Sequence, residues 1–231
     1  MLKNTQINRL ATRKIAMALG ELNEKVVYVG GAVVSLYIDD TSAEDVRPTK
    51  DIDITLEIFT LGELEKLRQL LNQKGFFQSS EDNVICRFRF EEIKIDVMAT
   101  KPIGWAPANP WFEAGIGSPV AIDIDDITIK ILSLPYFLAT KFAAFSDRGR
   151  KDPRTSHDFE DIVYLLNYTS YLKPAVLNAD KEVQVYLKQA FLEILDSPIL
   201  HEAIIGNLFY ENQMARFNKI LNLLKEITHG L

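Results

Sequence analysis

The sequence is short of several things, and each shortage excludes something. It has one cysteine, Cys86, in 231 residues, so no internal disulfide can form; a lone thiol fits a reducing compartment, and a cytoplasmic location is expected. Three histidines and that one cysteine leave no cluster spaced to hold zinc. Positive charge is also scarce: 26 Lys and Arg stand against 32 Asp and Glu, a net charge of −6. A chain-wide basic footprint for nucleic acid is thereby excluded, although a local patch is not. No run of about 18 apolar residues occurs, so no membrane-spanning helix is expected. The opening MLKNTQINRL lacks the apolar stretch of a signal peptide. There is no internal repeat and no low-complexity segment.

What the chain does have is apolar residues, 47% of the total, enough for a sizeable core in one large domain or two small ones. It also has one organising stretch, Val26 to Ile58, reading VVYVGGAVVSLYIDDTSAEDVRPTKDIDITLEI. A short apolar run meets the pair Gly30-Gly31, and a later β-like run carries Asp51 and Asp53. On a strand, residues two apart point to one side. Ile52 and Ile54 then face the core while both carboxylates enter one site. Two adjacent carboxylates repel unless a cation lies between them, and hard oxygen ligands suit Mg²⁺, with Mn²⁺ as its substitute. The glycines let backbone N–H groups approach an anion, and the helix expected from Ala32 adds its positive end. Together these features predict binding of a metal–triphosphate.

The rest of the chain frames that stretch. From Thr5 to Leu22 the residues Ile7, Leu10, Ala11, Ile15, Ala18, Leu19 and Leu22 suggest one apolar helical face with Thr5 as N-cap. Thr60 and Glu63 form a capping box for a helix to Lys74, stopped by Gly75. Val84–Phe90 and Ile93–Ala99 read as a hairpin turning at Glu91-Glu92. Lys101–Gly117, with Trp105 and Trp111, reads as a long loop that is either a lid over a base or a surface loop pinned by its tryptophans. One or two strands are expected over Pro119–Leu132. Beyond them come helices over 133–145, 157–166, 180–195, 199–209 and 212–228, with a charged loop from Asp147 to Thr155. The division expected is a βα-rich core over residues 1–132 and a helical C-terminal region over 133–231, packed on that core.

The Gly-Gly and Asp-x-Asp pattern resembles the nucleotidyltransferase superfamily. The form Arg47-Pro48-Thr49-Lys50-Asp51-Ile52-Asp53 is most similar to its AbiEii-type branch, known mainly as toxins of bacterial toxin–antitoxin and phage-abortive systems. One departure is the nineteen residues between Gly31 and Asp51, more than is usual in the family. The acidic loop Asp39–Asp45 therefore reads as a small insertion that bears on access to the site. The resemblance implies an α+β fold, a nucleotidyltransferase-like mixed sheet flanked by helices and followed by an all-helical C-terminal region. It implies a third carboxylate on a later strand, which Asp96 in Ile95-Asp96-Val97 supplies; otherwise Asp96 is a surface aspartate opposite Lys94 or Arg89. Asp51, Asp53 and Asp96 would be metal ligands in two-metal chemistry, with Asp96 also orienting or deprotonating the acceptor hydroxyl. Gly30, Gly31, Ser35, Thr49 and Lys50 would line the NTP.

Leu138 to Phe145 matches the family's Leu-x-x-Lys-x-x-Ala helix, and Ser156 to Ile162 its Asp-x-x-Asp helix. A lysine on an apolar helix needs an anion if buried or else snorkels from an exposed helix end; the resemblance makes Lys141 catalytic or substrate-binding. Arg148 is read as gripping phosphates. The first turn of a helix, where negative charge suits the dipole, accounts for one of Asp158 and Asp161 without any chemistry; the resemblance makes Asp158 the expected salt-bridge partner that orients Lys141 or Arg148. The activity implied is transfer of a nucleoside monophosphate from an NTP to a hydroxyl of RNA (tRNA) or protein, with a cognate antitoxin as partner. The alternatives are a small-molecule hydroxyl as acceptor and a catalytically silent binding scaffold.

Overall fold

The structure, a computed structural model, describes residues 2–58 and 60–231. It is α+β, a mixed sheet with helices and then an all-helical C-terminal region. Among the described residues the sheet has six strands: β1 (Val27–Val29), β2 (Asp51–Leu56), β3 (Arg87–Phe90), β4 (Ile93–Ala99), β5 (Val120–Ile124) and β6 (Ile127–Ile131), in the order β3-β4-β2-β1-β6-β5. β2 runs parallel to β4 and β1 to β6, while the remaining pairs are antiparallel. The alternation in the sequence sets the two faces. Ile52, Ile54, Phe88, Ile95 and Val97 are buried, and the charged residues between them point the other way.

The chain divides into two compact units, Met1–Leu36 with Glu44–Ser133, and Tyr37–Ala43 with Leu134–Leu231. In the first unit, α1 (Lys3–Leu19) leads through a 3₁₀ segment (Gly20–Lys25) into β1. α1 corrects two expectations. It begins at Lys3, so Thr5 is not its N-cap, and it buries Asn8, Thr12, Ile15, Ala16 and Leu19, while Ile7 and Leu10 are exposed. The cap comes instead from Asp45. Its carboxylate accepts from the amides of Asn4 (2.6 Å) and Thr5 (2.8 Å) and from the Thr5 hydroxyl (2.8 Å). A distant carboxylate thus satisfies donors that every helix start leaves open. After β2, α2 (Leu61–Gln73) opens with the capping box of Thr60 and Glu63, and the helix is followed by Gly75 at φ 87°. The tryptophan segment holds a short helix, α3 (Phe112–Ile116). Trp111 is buried, and Trp105 packs on Phe88 at 5.7 Å and donates to Glu65 at 3.3 Å. Both tryptophans are therefore used as pins.

The second unit is built on α4 (Leu134–Ala144), of which every residue from Leu134 to Phe142 is buried. A helix apolar all round must be central, and α4 meets α5 (His157–Tyr168), α6 (Leu172–Leu177) and α7 (Lys181–Asp196). α8 (Pro198–Gly206) and α9 (Gln213–Gly230) complete the unit. The expected charged loop is partly helical: Phe145–Gly149 is a π-helical turn and Pro153–Thr155 a 3₁₀ turn. The segment Tyr37–Ala43 is held here by Tyr37 stacked on Phe137 at 4.4 Å and by the Ser170 amide donating to Asp39 at 2.8 Å. The acidic insertion is therefore shared out: Asp39 belongs to this unit, and Asp45 caps α1 in the other. No helix among the described residues is long and apolar enough to cross a membrane.

Candidate active site

The site is built by strand register. Asp51 and Asp53 stand two apart on β2, and Asp53 is directly paired with Asp96 on the parallel strand β4. The three carboxylates therefore leave the sheet on one side, opposite the buried Ile52, Ile54, Ile95 and Val97. β1 is antiparallel to β2 with Val29 opposite Asp53, so Gly30 follows beside the same carboxylate. Gly30 has φ 73°, and a Cβ placed on it would lie 1.7 Å from Asp53 Oδ2. No residue but glycine meets both conditions. At Gly31 the reason differs: a Cβ there would lie 2.4 Å from Arg47 Nη2 and 3.5 Å from Thr49 Oγ1. The guanidinium of Arg47 thus rests against Gly31, at the start of the short helix expected there, which is a 3₁₀ helix (Gly31–Tyr37). Ser35 is half-buried on that helix, and Lys50 is exposed. The Thr49 hydroxyl donates to the Asp51 carbonyl at 3.2 Å and lies 3.4 Å from Asp51 Oδ1. Gly30, Gly31, Thr49, Asp51, Asp53 and Asp96 therefore surround one bay.

One residue in that bay went unread in the sequence. Arg87, on β3, donates from Nε to Asp96 Oδ1 at 2.7 Å and from Nη2 to Asp96 Oδ2 at 2.7 Å, a bidentate pair; the same Nη2 reaches Asp51 Oδ2 at 2.6 Å. Asp96 is thus opposite neither Lys94 nor Arg89: the hairpin register pairs it with Arg87, and Arg89 is bound to Asp82 at 2.7 Å. The hydrogen bonds to Asp96, opposed by partial burial and helped by the charges of Asp96 and Asp51, hold the Arg87 guanidinium protonated even more firmly than usual. The field extends to Cys86, whose thiol is pushed up to about 11, first by burial and then by the Asp96 charge. The donor types suit a hard divalent cation. As the side chains stand, however, no group of three His, Cys, Asp or Glu residues among those described is arranged to hold one.

The second unit has its own cluster. Lys141 Nζ lies 2.6 Å from Asp161 Oδ2 and 3.7 Å from Asp158 Oδ1, and 5.6 Å from the ring centre of Phe137. Asp158 in turn accepts two bonds from Arg148, at 2.8 Å and 3.1 Å. Asp158 therefore serves Arg148 first, and the nearer partner of Lys141 is Asp161, which sequence reading passed over. Lys141, Asp158 and Asp161 are almost wholly buried, whereas the Arg148 side chain is 70% exposed on the π-helical turn. Ser156 accepts from the Phe159 amide and so starts α5 at the point that sets Asp158 and Asp161 one turn apart.

The fold is similar to that of two solved structures. An antigenic nucleotidyltransferase-like protein from Paracoccidioides brasiliensis is 18% identical, with a TM-score of 0.52, covering 90% of this chain and 96% of its own. The antibiotic-resistance factor ANT(2'')-Ia, known from a solution structure, is 14% identical with a TM-score of 0.50, covering 82% and 95%. At such identities the likeness is one of fold. No curated protein matches the chain. The particular family follows from a family model described as "Nucleotidyl transferase AbiEii toxin, Type IV TA system", which matches residues 15–225. The chain belongs to this family and is a nucleotidyltransferase.

Proposed function

We propose that this nucleotidyltransferase takes a nucleoside monophosphate from an NTP and, with a divalent metal, attaches it to a hydroxyl of RNA (tRNA among them) or of a protein. The observation that carries the reading is the bay itself, with Asp51 beside Asp53, Asp53 in register with Asp96, and Gly30 pressed against Asp53. Asp51 and Asp53 would hold Mg²⁺ or Mn²⁺, with Asp96 joining when free of Arg87. When bound, such a metal supplies charge neutralisation for the triphosphate and the departing pyrophosphate. The backbone at Gly30 and Gly31 admits the phosphates closely. Thr49 and Lys50, just before β2, and Ser35, on the 3₁₀ helix, would line the approach of the NTP. The acceptor oxygen forms its bond to the α-phosphorus as the bond to the β-phosphate oxygen breaks, and its proton passes to an oxygen of Asp96.

In the second unit, the Lys141 ammonium already has two carboxylate neighbours. Its proposed part is to keep Asp158 and Asp161 in place, so that Asp158 presents Arg148, the exposed cation, to phosphate. The family's toxin membership supports a macromolecular acceptor and a cognate antitoxin. The fold shared with an antibiotic-resistance factor leaves a small hydroxyl compound as the competing acceptor.

The test is labelling with each α-³²P NTP in Mg²⁺, using purified protein, total RNA and lysate, followed by denaturing gels. A labelled RNA or protein band is expected, lost in Asp51→Ala and lost in EDTA. Label in a small product alone would overturn the macromolecular acceptor, and label that survives EDTA would overturn the metal.

A further inference from the structure

The bay gathers three carboxylates, and one arginine, Arg87, bonds two of them. Three carboxylates project from two adjacent strands, and like charges so placed repel. Arg87 answers two of them at once, with both oxygens of Asp96 and one of Asp51. Its position allows it to leave. β3 is the outermost strand of the sheet, and Arg87 is its first residue, directly after the turn in which its amide bonds the Val84 carbonyl at 3.1 Å. The backbone is anchored one residue on, by the fully buried Phe88. The guanidinium can therefore swing away without disturbing the core. The ion triad is also reached by water: side-chain exposure is 15% for Arg87, 14% for Asp96 and 27% for Asp51.

From this we infer that Arg87 is a resident cation of the bay, a positioning residue that competes with divalent metal for Asp51 and Asp96. The inference rests on the metal-dependent reading above. In the resting protein a metal must displace the guanidinium to take both oxygens of Asp96, because each accepts from Arg87. A triphosphate offers the guanidinium a second bidentate anion, so an arriving nucleotide can draw Arg87 off the carboxylates as it brings its metal. Nucleotide and metal then bind as one event, and metal alone binds weakly.

The experiment is titration of the full-length protein with Mn²⁺ alone, by calorimetry and by the loss of the free-ion EPR signal. Arg87→Met is expected to bind Mn²⁺ at least about tenfold more tightly than the unaltered protein, the order set by losing a charge-assisted bidentate competitor. Adding Asp96→Asn should abolish that gain. Arg87→Lys, which keeps the charge but loses the fork, should fall between the two and guards against a misfolded methionine variant. Equal Mn²⁺ affinity in all of these proteins, or binding by none, overturns the competition. Labelling that survives EDTA overturns the metal-dependent reading instead, so the two failures are told apart.

Discussion

The two ion clusters, one in each unit, are made of the same kinds of side chain and differ in where their cation sits. In the first, Arg87 comes from the end of an edge strand and shares a water-reached bay with Asp51 and Asp96. In the second, Lys141 comes from the last turn of α4, near the end of its wholly buried stretch, and meets Asp161 and Asp158 away from water. A charge pair near water can be exchanged at modest cost, because solvent stands ready to replace either partner. A buried pair cannot lose one member without leaving an uncompensated charge. The same chemistry is thus a replaceable counter-ion in one place and a fixture in the other.

The sharpest way to break this contrast is to remove one charge from the bay and one from the buried cluster. Asp53→Asn is expected to lower label transfer by more than about 10³-fold, the scale on which loss of a group aimed at developing charge is felt, while the melting temperature moves by only a few degrees. Lys141→Met is expected to do the reverse in stability. Leaving Asp161 buried without its ammonium should cost about 3–5 kcal/mol, a fall in melting temperature of roughly 10 °C. Adding Asp161→Asn should recover much of it. If Lys141→Met melts normally but no longer binds NTP, the second cluster belongs to substrate and the contrast fails.

A smaller effect is expected at Gly30, where backbone and bay are tied together. Gly30→Ala must hold an alanine at φ 73° and push Asp53 aside. The left-handed conformation costs about 1–2 kcal/mol, and displacing a metal-binding carboxylate by about 1 Å should cost label transfer on the order of 10²-fold. Calorimetry alongside the labelling assay separates the two. A variant that keeps full transfer would show that the close approach of Gly30 to Asp53 has no part in the reaction.

How much of this was legible follows from which distances along the chain were involved. Asp51 and Asp53 could be read because spacing along one strand fixes which way side chains point, and Gly30 and Gly31 because a glycine pair after an apolar run marks a close backbone approach. Arg87 was also countable: a two-residue turn at Glu91-Glu92 pairs Phe90 with Ile93 and hence Arg87 with Asp96. The choice of Lys94 or Arg89 instead came from treating proximity in sequence as proximity in space. For Asp158 and Asp161 the helix period places both on one side, but which of them meets Lys141 depends on how α4 and α5 pack. The face of α1 was ambiguous for a different reason. The stripes Ile7-Leu10-Ile15-Leu19 and Asn8-Thr12-Ile15-Leu19 share their C-terminal half, and apolarity favours the first. The structure takes the second, a preference that only tertiary contacts can set.

The mildest prediction concerns Asp45, whose role no local pattern announced. It is the long-range counterpart of a local cap, since a carboxylate some forty residues away does what a serine at the helix start would do. Burial opposes its ionisation, but the amides of Asn4 and Thr5 and the Thr5 hydroxyl outweigh it, leaving the carboxyl below the usual range. Asp45→Ala is therefore expected to cost about 1 kcal/mol at neutral pH, the size of a lost cap, or ~2–4 °C in melting temperature. The pH dependence has a definite sign. A carboxyl whose folded value is depressed stabilises fully above its unfolded value, about 3.9 for aspartate, and that stabilisation is lost as pH falls toward the folded value. The gap between the unaltered protein and Asp45→Ala should stay constant from pH 7 to about 5 and narrow below about 4. A gap that persisted undiminished into acid would mean that Asp45 acts through packing, and that the start of α1 is held by something other than the carboxylate's charge.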